Sequence, residues 1–342
     1  MRILGREDVR AALADLDSTV IDLVRNAYVL HSQGKSDLPF STFLRPLHRS
    51  DSRIIALPAY LGGPYPVMGL KWISSFPENV NRGMQRASSL CILNDLESGY
   101  PLALMEGSQI SAVRTAAGAA LASGLLNSGR EVRTVGLVGC GTINSQVVHF
   151  LTQVHQDLET VLLQDAFPER AKVFAAELAA EYPGVEFKAV TLGQALSADT
   201  VSIATTDSSY WLDLADYPKR PDGQVILHLS LRDLSVASVL GAVNVTDDAD
   251  HAIREQTSLH KAEQQAGHRR FVTAEIGALL DGTAELPAAR TVVFAPFGLG
   301  VLDLAVAEAV LNHAEKHGLG TEVEGFDPGS HKVTSNLAGS AA

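Results

Sequence analysis

Apolar residues recur at three- and four-residue spacing near the start of the chain: Val9, Leu13, Leu16, Val20, Leu23, Val24, Ala27 and Leu30. That period marks one stripe of an α-helix over 6–33, which Gly34-Lys35-Ser36 brings to an end. Between 37 and 106 the pattern changes to short β-branched or aromatic runs divided by Gly and Pro. FSTFL, RIIALPAYL, VMGLKWISSF, SSLCILND and PLALMEG are the expected strands, with ESGYP at 97–101 turning the last two. They predict an antiparallel sheet or half-barrel. Residues 109–126 are rich in Ala, Ser and Gly, which predicts a helix able to approach another element closely.

From 133 onward strands and helices alternate. TVGLVG is a strand, 143–156 a helix, TVLLQD a strand and PERAKVFAAELAAEY a helix. FKAV, TVSIATT, QVILHLS, AVNVTDD and TVVFAP continue as strands, and FGLGVLDLAVAEAVLNHAEKHG opens on a glycine turn into a long helix. Strands that are apolar throughout suit a sheet covered on both faces. The expected fold class is therefore α/β: a Rossmann doubly wound parallel sheet plus a smaller α/β domain with an antiparallel sheet. Residues 1–118 with 305–330 are assigned to substrate binding, 119–304 to the cofactor and 331–342 to a loose tail.

Composition narrows the function. At 342 residues the chain fits two domains, and 46% hydrophobic with 19% charged residues is ordinary for a globular protein. No apolar stretch reaches the roughly 18 residues of a membrane helix, and MRILGREDVRAALADL lacks the apolar core of a signal peptide. Cys91 and Cys140 are too few for a disulfide framework and lack metal-ligand spacing, so a reduced cytoplasm and no metal are expected. A formal charge of −12 argues against nucleic acid. An acidic chain that binds anions must gather its cations locally. Arg45, Arg49, Arg53, Lys71, Arg82, Arg86 and Arg114 all lie in the first third.

Gly139-Cys140-Gly141-Thr142-Ile143-Asn144 follows an apolar strand and opens a helix, supplying two of the three glycines of a dinucleotide fingerprint. The first glycine permits the tight turn. The second lets backbone N–H groups, including those of Thr142 and Ile143, face a pyrophosphate. Asn144 replaces the third, so the helix is expected to sit slightly further from its strand. The next strand ends in Asp165, where an acid accepts from the ribose 2′-hydroxyl and repels a 2′-phosphate, so NAD is expected over NADP. Arg170, within the following helix, is expected to face solvent. Thr205 and Thr206 end a strand at the carboxyl edge and are candidates for the nicotinamide side, or a simple strand-end turn.

Taken together, the lysine strand GLKWISSFPEN, ESGYP with its flanking strands, the RTAA helix and FGLGVLDLAVAEAV resemble the ornithine cyclodeaminase/μ-crystallin family over nearly the whole chain. The resemblance implies an NAD(P)-dependent enzyme or binder with a dimerising substrate domain completed by the C-terminal helix. It also implies that Arg45, Lys71 and Arg114 hold the carboxylate of a small amino-acid substrate. FSTFLRP, RIIALPAYLGG, GLKWISSFPEN and RASSLCILND look closer to a branch that oxidises N-(2-amino-2-carboxyethyl)-L-glutamate with NAD. Hydrolysis there releases 2-oxoglutarate and L-2,3-diaminopropionate, a siderophore or antibiotic precursor. Cyclodeaminases carry their catalytic aspartate in a G-x-D-x-P-G-K segment. Here the strand end reads HLSLRDLSV without Pro-Gly-Lys, which weakens the case for ornithine and leaves Asp233 as the nearby carboxylate.

Oxidation at Cα needs an anchored carboxylate, a hydrogen aimed at the nicotinamide and a base. Arginine forks meet carboxylates bidentately, which suits Arg114 and Arg45, with Arg49 and Arg53 close enough in the chain to take the place of Arg45. Burial of Lys71 beside Trp72 is expected to lower its pKa. A substrate with three carboxylates needs a further clamp, for which Arg232 is the candidate, and Asp233 is the candidate base or water-activating group. His228 reads as a satisfied core histidine. Glu106 either orients the substrate amine or makes a structural hydrogen bond, and Asp303 either caps the last helix or reaches the cofactor. The competing functions are ornithine cyclodeamination, reduction of a cyclic imine or keto acid, and ligand binding without turnover.

Overall fold

The computed structural model describes residues 1–49, 51–218, 220–288 and 291–326; the expected tail at 331–342 lies outside them. The chain opens with β1 (Arg2–Leu4) and α1 (Arg6–Ser32). β2 (Ser36–Asp37), β3 (Thr42–Leu44), β4 (Arg53–Leu61), β5 (Val67–Ser75), β6 (Ala87–Asn94) and β7 (Pro101–Glu106) then lead into α2 (Ser108–Leu126). The second region begins β8 (Thr134–Val138), α3 (Thr142–Val154), β9 (Thr160–Gln164), α4 (Pro168–Glu181), β10 (Glu186–Ala189) and α5 (Leu192–Ala195). It continues with β11 (Thr200–Ile203), β12 (Gln224–His228), α6 (Val236–Leu240), β13 (Val243–Thr246), α7 (Ala249–Ala252) and α8 (Ser258–Ala266). β14 (Val272–Glu275), α9 (Ile276–Leu280) and β15 (Thr291–Phe294) complete it, and α10 (Gly300–His317) with β16 (Thr321–Glu322) returns to the first region.

Each region is built on an eight-stranded sheet. The first has the order β16-β1-β7-β6-β5-β4-β2, with β3 also on β4. Its pairs are antiparallel except that β1 runs parallel to β7. β1 and β16 are too short to show an alternating pattern and went unanticipated. The second sheet has the order β10-β9-β8-β11-β12-β15-β13-β14, parallel throughout. Strand order reverses between β8 and β11, which opens the crevice where doubly wound sheets bind ligands.

α10 joins the two halves. Val301, Leu302, Leu304, Val306, Ala307 and Val310 are all buried, because the helix lies on β4 and β5 with α1 and α2 around it. Burying each large aliphatic side chain contributes roughly 1.5–3 kcal/mol. The helix starts at Gly300, inside the range assigned above to the cofactor domain, yet it packs on the first sheet. α2 packs against α1 on one side and α3 on the other. Among the described residues no helix is long and apolar enough to cross a membrane, and no cluster of three His, Cys, Asp or Glu residues could hold a metal.

Candidate active site

Alternation along β5 decides where the lysine points. Val67, Gly69, Lys71 and Ser75 face the interior, and Trp72 faces outward with 39% of its surface exposed. Burial of Lys71, at 3% exposure, therefore comes from α10 and the facing Cys91 of β6 rather than from Trp72, which corrects the expectation. Lys71 Nζ donates to Asp303 Oδ2 at 2.7 Å, and Arg114 Nε donates to Asp303 Oδ1 at 3.2 Å. Asp303 makes no side-chain cap for α10, and both of its carboxyl oxygens are taken by the two cations. It is a fully buried counter-ion inside an apolar helix, shared by a strand cation and a helix cation.

Burial is the larger pull on Lys71 and lowers its pKa; Asp303 opposes this and Arg114 reinforces it. Burial likewise raises Asp303, but two flanking cations outweigh it and hold the carboxyl below its usual range. Burial pushes the Cys91 thiol up to about 12, so it stays a thiol beside the lysine. Gly298 seats Arg114. Its φ of +95° suits glycine, and a Cβ there would stand 3.2 Å from both terminal guanidinium nitrogens. Asp247 holds the same loop by accepting from the N–H groups of Phe297 (2.8 Å) and Gly298 (2.7 Å). Burial pushes the Asp247 carboxyl upward, and the hydrogen bonds from Phe297 and Gly298 oppose that shift. Lys71, Arg114 and Asp303 thus form a buried group of two cations and one anion, suited to a second carboxylate.

Arg45 does not join them. β3 pairs with β4 so that Leu44 faces Ile54, which sends Arg45 to the strand end that carries Arg53. There it is half-exposed and bonded to Glu255 at 2.6 Å. Arg232 reaches the same place from the loop after β12, donating to the Glu255 carbonyl at 2.6 Å.

Asp233 also departs from the expectation of a free base. It is fully buried and accepts from Thr205, Ser230 and, at 3.3 Å, Trp211 Nε1, with His228 Nε2 at 3.2 Å. Burial alone would raise its pKa, but His228, Ser230 and Thr205 hold it below the ordinary value. A carboxylate so surrounded has no face left for a water, and its geometry suits positioning of Thr205 and Ser230. His228 is a buried histidine with a partner, as read from its apolar strand. Thr206 is exposed at the same edge. Glu106 takes the structural alternative, since it accepts from the Ser108 and Gln109 N–H groups at the start of α2.

At the crevice, Gly139 adopts φ +95° and a Cβ there would stand 2.4 Å from the Ala204 carbonyl, so only glycine fits between β8 and β11. A Cβ on Gly141 would meet nothing within 4 Å, and Gly141 starts α3 with no side-chain cap. Open space before uncapped N–H groups of Thr142 and Ile143 fits a dinucleotide pyrophosphate. Asp165 lies beside this turn, accepting from Cys140 N–H and Phe167 N–H at 2.9 Å each, with Arg170 Nη1 at 3.6 Å. Asn144, in the third glycine position, donates to the Val138 and Gly139 carbonyls and accepts from Ser202. An amide bridge thus replaces close glycine packing.

These features define a two-domain α/β protein with a dinucleotide-type crevice and a buried cationic clamp. The model of the ornithine cyclodeaminase/mu-crystallin family matches residues 3–214, more than half of the chain, and the protein belongs to that family. It is 28% identical over 339 residues to the N-((2S)-2-amino-2-carboxyethyl)-L-glutamate dehydrogenase of Staphylococcus aureus, covering 94% of this chain and 97% of that one. The Delta(1)-pyrroline-2-carboxylate reductase of Thermococcus litoralis, solved with NADH and L-proline, superposes with a TM-score of 0.86 at 25% identity. That match covers 94% of this chain and all of the other. An archaeal alanine dehydrogenase dimer with bound NAD gives 0.84 at 25% identity, covering 95% of this chain and 99% of that one.

The sequence did not single out Asp303 as the clamp's counter-ion, although an acid within GVLDLAVAEAV was the available signal. Arg86 was legible only as part of the cationic first third, and Arg53 also as a neighbour able to take the place of Arg45.

Proposed function

We propose that this protein is an NAD-dependent amino-acid dehydrogenase that oxidises the CH–NH group of N-(2-amino-2-carboxyethyl)-L-glutamate. Water then cleaves the resulting imine to 2-oxoglutarate and L-2,3-diaminopropionate. The observation that carries the reading is the shared ion pair of Lys71 and Arg114 on Asp303, a buried surplus of positive charge beside the crevice. There the α-carboxylate of an amino acid takes up the positive charge that Asp303 leaves over, with the planar guanidinium fixing its orientation. NAD, bound at Gly139, Gly141, Thr142, Ile143 and Asp165, supplies the hydride acceptor. Thr205, held by Asp233, stands at the carboxyl edge of β11 and fixes the polar wall of the cleft. Likeness to the Staphylococcus aureus enzyme supports this choice of substrate.

A homodimer completes the reading. On the outer face of the first sheet, Trp72 lies opposite Leu90, with Tyr60 and Leu102 also exposed, an apolar stripe suited to a second copy. The dimeric archaeal neighbour supports this.

Incubation of purified protein with NAD and N-(2-amino-2-carboxyethyl)-L-glutamate tests the reaction. NADH and 2-oxoglutarate are expected in equal amounts. Their absence, together with ammonia release from ornithine, would overturn it.

A further inference from the structure

Four rungs along the ladder from Lys71, on the same face of the sheet, stands a second set of cations. Arg53 is paired with Ser75 across β4 and β5, and Lys71 with Leu57, so Lys71 and Arg53 share one face about 13 Å apart along the strands. Arg86 comes from the turn before β6 and donates to Ser75 Oγ at 2.8 Å. Arg232 enters from the other domain, and Arg45 is drawn aside by Glu255. Of these four arginines only Arg45 pairs with a carboxylate among the described residues, that of Glu255. Among the described residues, the Arg53 side chain makes no hydrogen bond or ion pair. Burial, and then Arg232, Arg86 and Arg45 in that order, pull its pKa down, which is the mark of like charges crowded together.

The loops that present Arg232 hold it under strain. Tyr210, Leu231, Glu255 and Gln256 are the non-glycine residues with positive φ among those described, and all belong to this corner. Tyr210 N–H donates to the Arg232 carbonyl at 2.9 Å, and its hydroxyl donates to the Gln256 carbonyl at 2.6 Å. Ser258 N–H ties down the Leu231 carbonyl at 2.7 Å. Such backbone is kept where the surroundings over-determine it, commonly at ligand clamps. A chain that carries a net −12 keeps four like charges together here, at the cost of their repulsion.

We propose that Arg53, Arg86 and Arg232 form a second anion subsite, which receives the distal carboxylates of a polycarboxylic amino acid whose α-carboxylate is held by Lys71 and Arg114. The assignment rests on the active site argued above and adds the selection of substrate. An amino acid with an apolar or cationic arm leaves the arginines to repel one another, and one with a carboxylate arm neutralises them. Because Arg232 belongs to the cofactor domain and Arg53 and Arg86 to the substrate domain, the arm spans both.

The test uses the full chain with NADH and titrates two keto acids by calorimetry. 2-Oxoglutarate carries a distal carboxylate and pyruvate does not. Wild type is expected to bind 2-oxoglutarate at least about tenfold more tightly than pyruvate. In R53Q and in R86Q that ratio falls by about tenfold, whereas R53K restores part of it. R114K lowers both affinities together and leaves the ratio standing. A ratio unchanged within about twofold in both R53Q and R86Q overturns the subsite. Turnover of N-(2-amino-2-carboxyethyl)-L-glutamate, measured alongside, reports separately on the reaction. Added inorganic phosphate that competes with 2-oxoglutarate and not with pyruvate supports the same subsite.

Discussion

At one level of the first sheet, Lys71 and Arg114 share one carboxylate closed to solvent, so both cations hold an internal partner and one positive charge is left over. Four rungs away, Arg53, Arg86 and Arg232 gather beside Arg45, which alone pairs with the Glu255 carboxylate, and much of their charge is left unmatched. The inner group is tightly coupled and intolerant of a missing member, because a lone buried charge is costly. The outer group is partly solvated and responds to whatever anion arrives. The contrast separates anchoring, which must be identical for every amino acid, from selection, which differs between members of one family.

Removing the shared carboxylate breaks the inner group most severely. Asp303→Asn leaves two buried cations facing each other and is expected to cost about 3–5 kcal/mol, a fall in Tm of roughly 10 °C by calorimetry. The sign with pH follows from the carboxyl being held below its ordinary value. Its contribution is complete above roughly pH 4 and lost as pH falls through the lower folded value, so wild-type and D303N melting temperatures converge in acid. A constant gap down to acid pH would show that the aspartate is not the anion of the group.

Arg114→Lys keeps the charge and loses the fork. A drop in kcat/KM of roughly tenfold to a hundredfold is expected, with Tm little changed. Asp233→Asn distinguishes positioning from proton transfer. A loss in kcat of about tenfold with an unmoved pH profile fits the positioning of Thr205 and Ser230; a loss beyond about a thousandfold that removes the acid limb restores the base. Salt gives the smallest effect. Raising ionic strength from about 50 mM to about 500 mM is expected to raise KM for a polycarboxylic substrate several-fold while leaving Tm nearly constant. Equal sensitivity of both quantities would erase the distinction between the two groups.

Much of this was legible in the chain. β4 matches RIIALPAYL residue for residue, and helix 6–33 and the parallel strands of the second sheet follow apolar periods set by burial on one face or two. The glycines at 139 and 141 were readable because a tight turn and an open helix start impose particular residue types. The direction of Trp72 was not, since a period of two names alternate residues without saying which set faces inward. Nor was the separation of Arg45 from Lys71, which depends on the register between β3 and β4. Asp233 resembled a base because acids near a strand end often are; the hydroxyls and indole that enclose it come from its own loop and from the loop after β11.

Asp303 stands 232 positions from Lys71 and 189 from Arg114, and this distance sets an order of events during synthesis. The first sheet and α2 emerge long before their counter-ion, so both cations wait in a nascent chain with nothing to neutralise them until α10 has been made. Contacts of such long range form late and slowly. Catalytic competence should therefore lag behind the folding of the dinucleotide crevice, and a released chain ending before Gly300 would carry every strand of the cofactor sheet and no counter-ion for its substrate anchor.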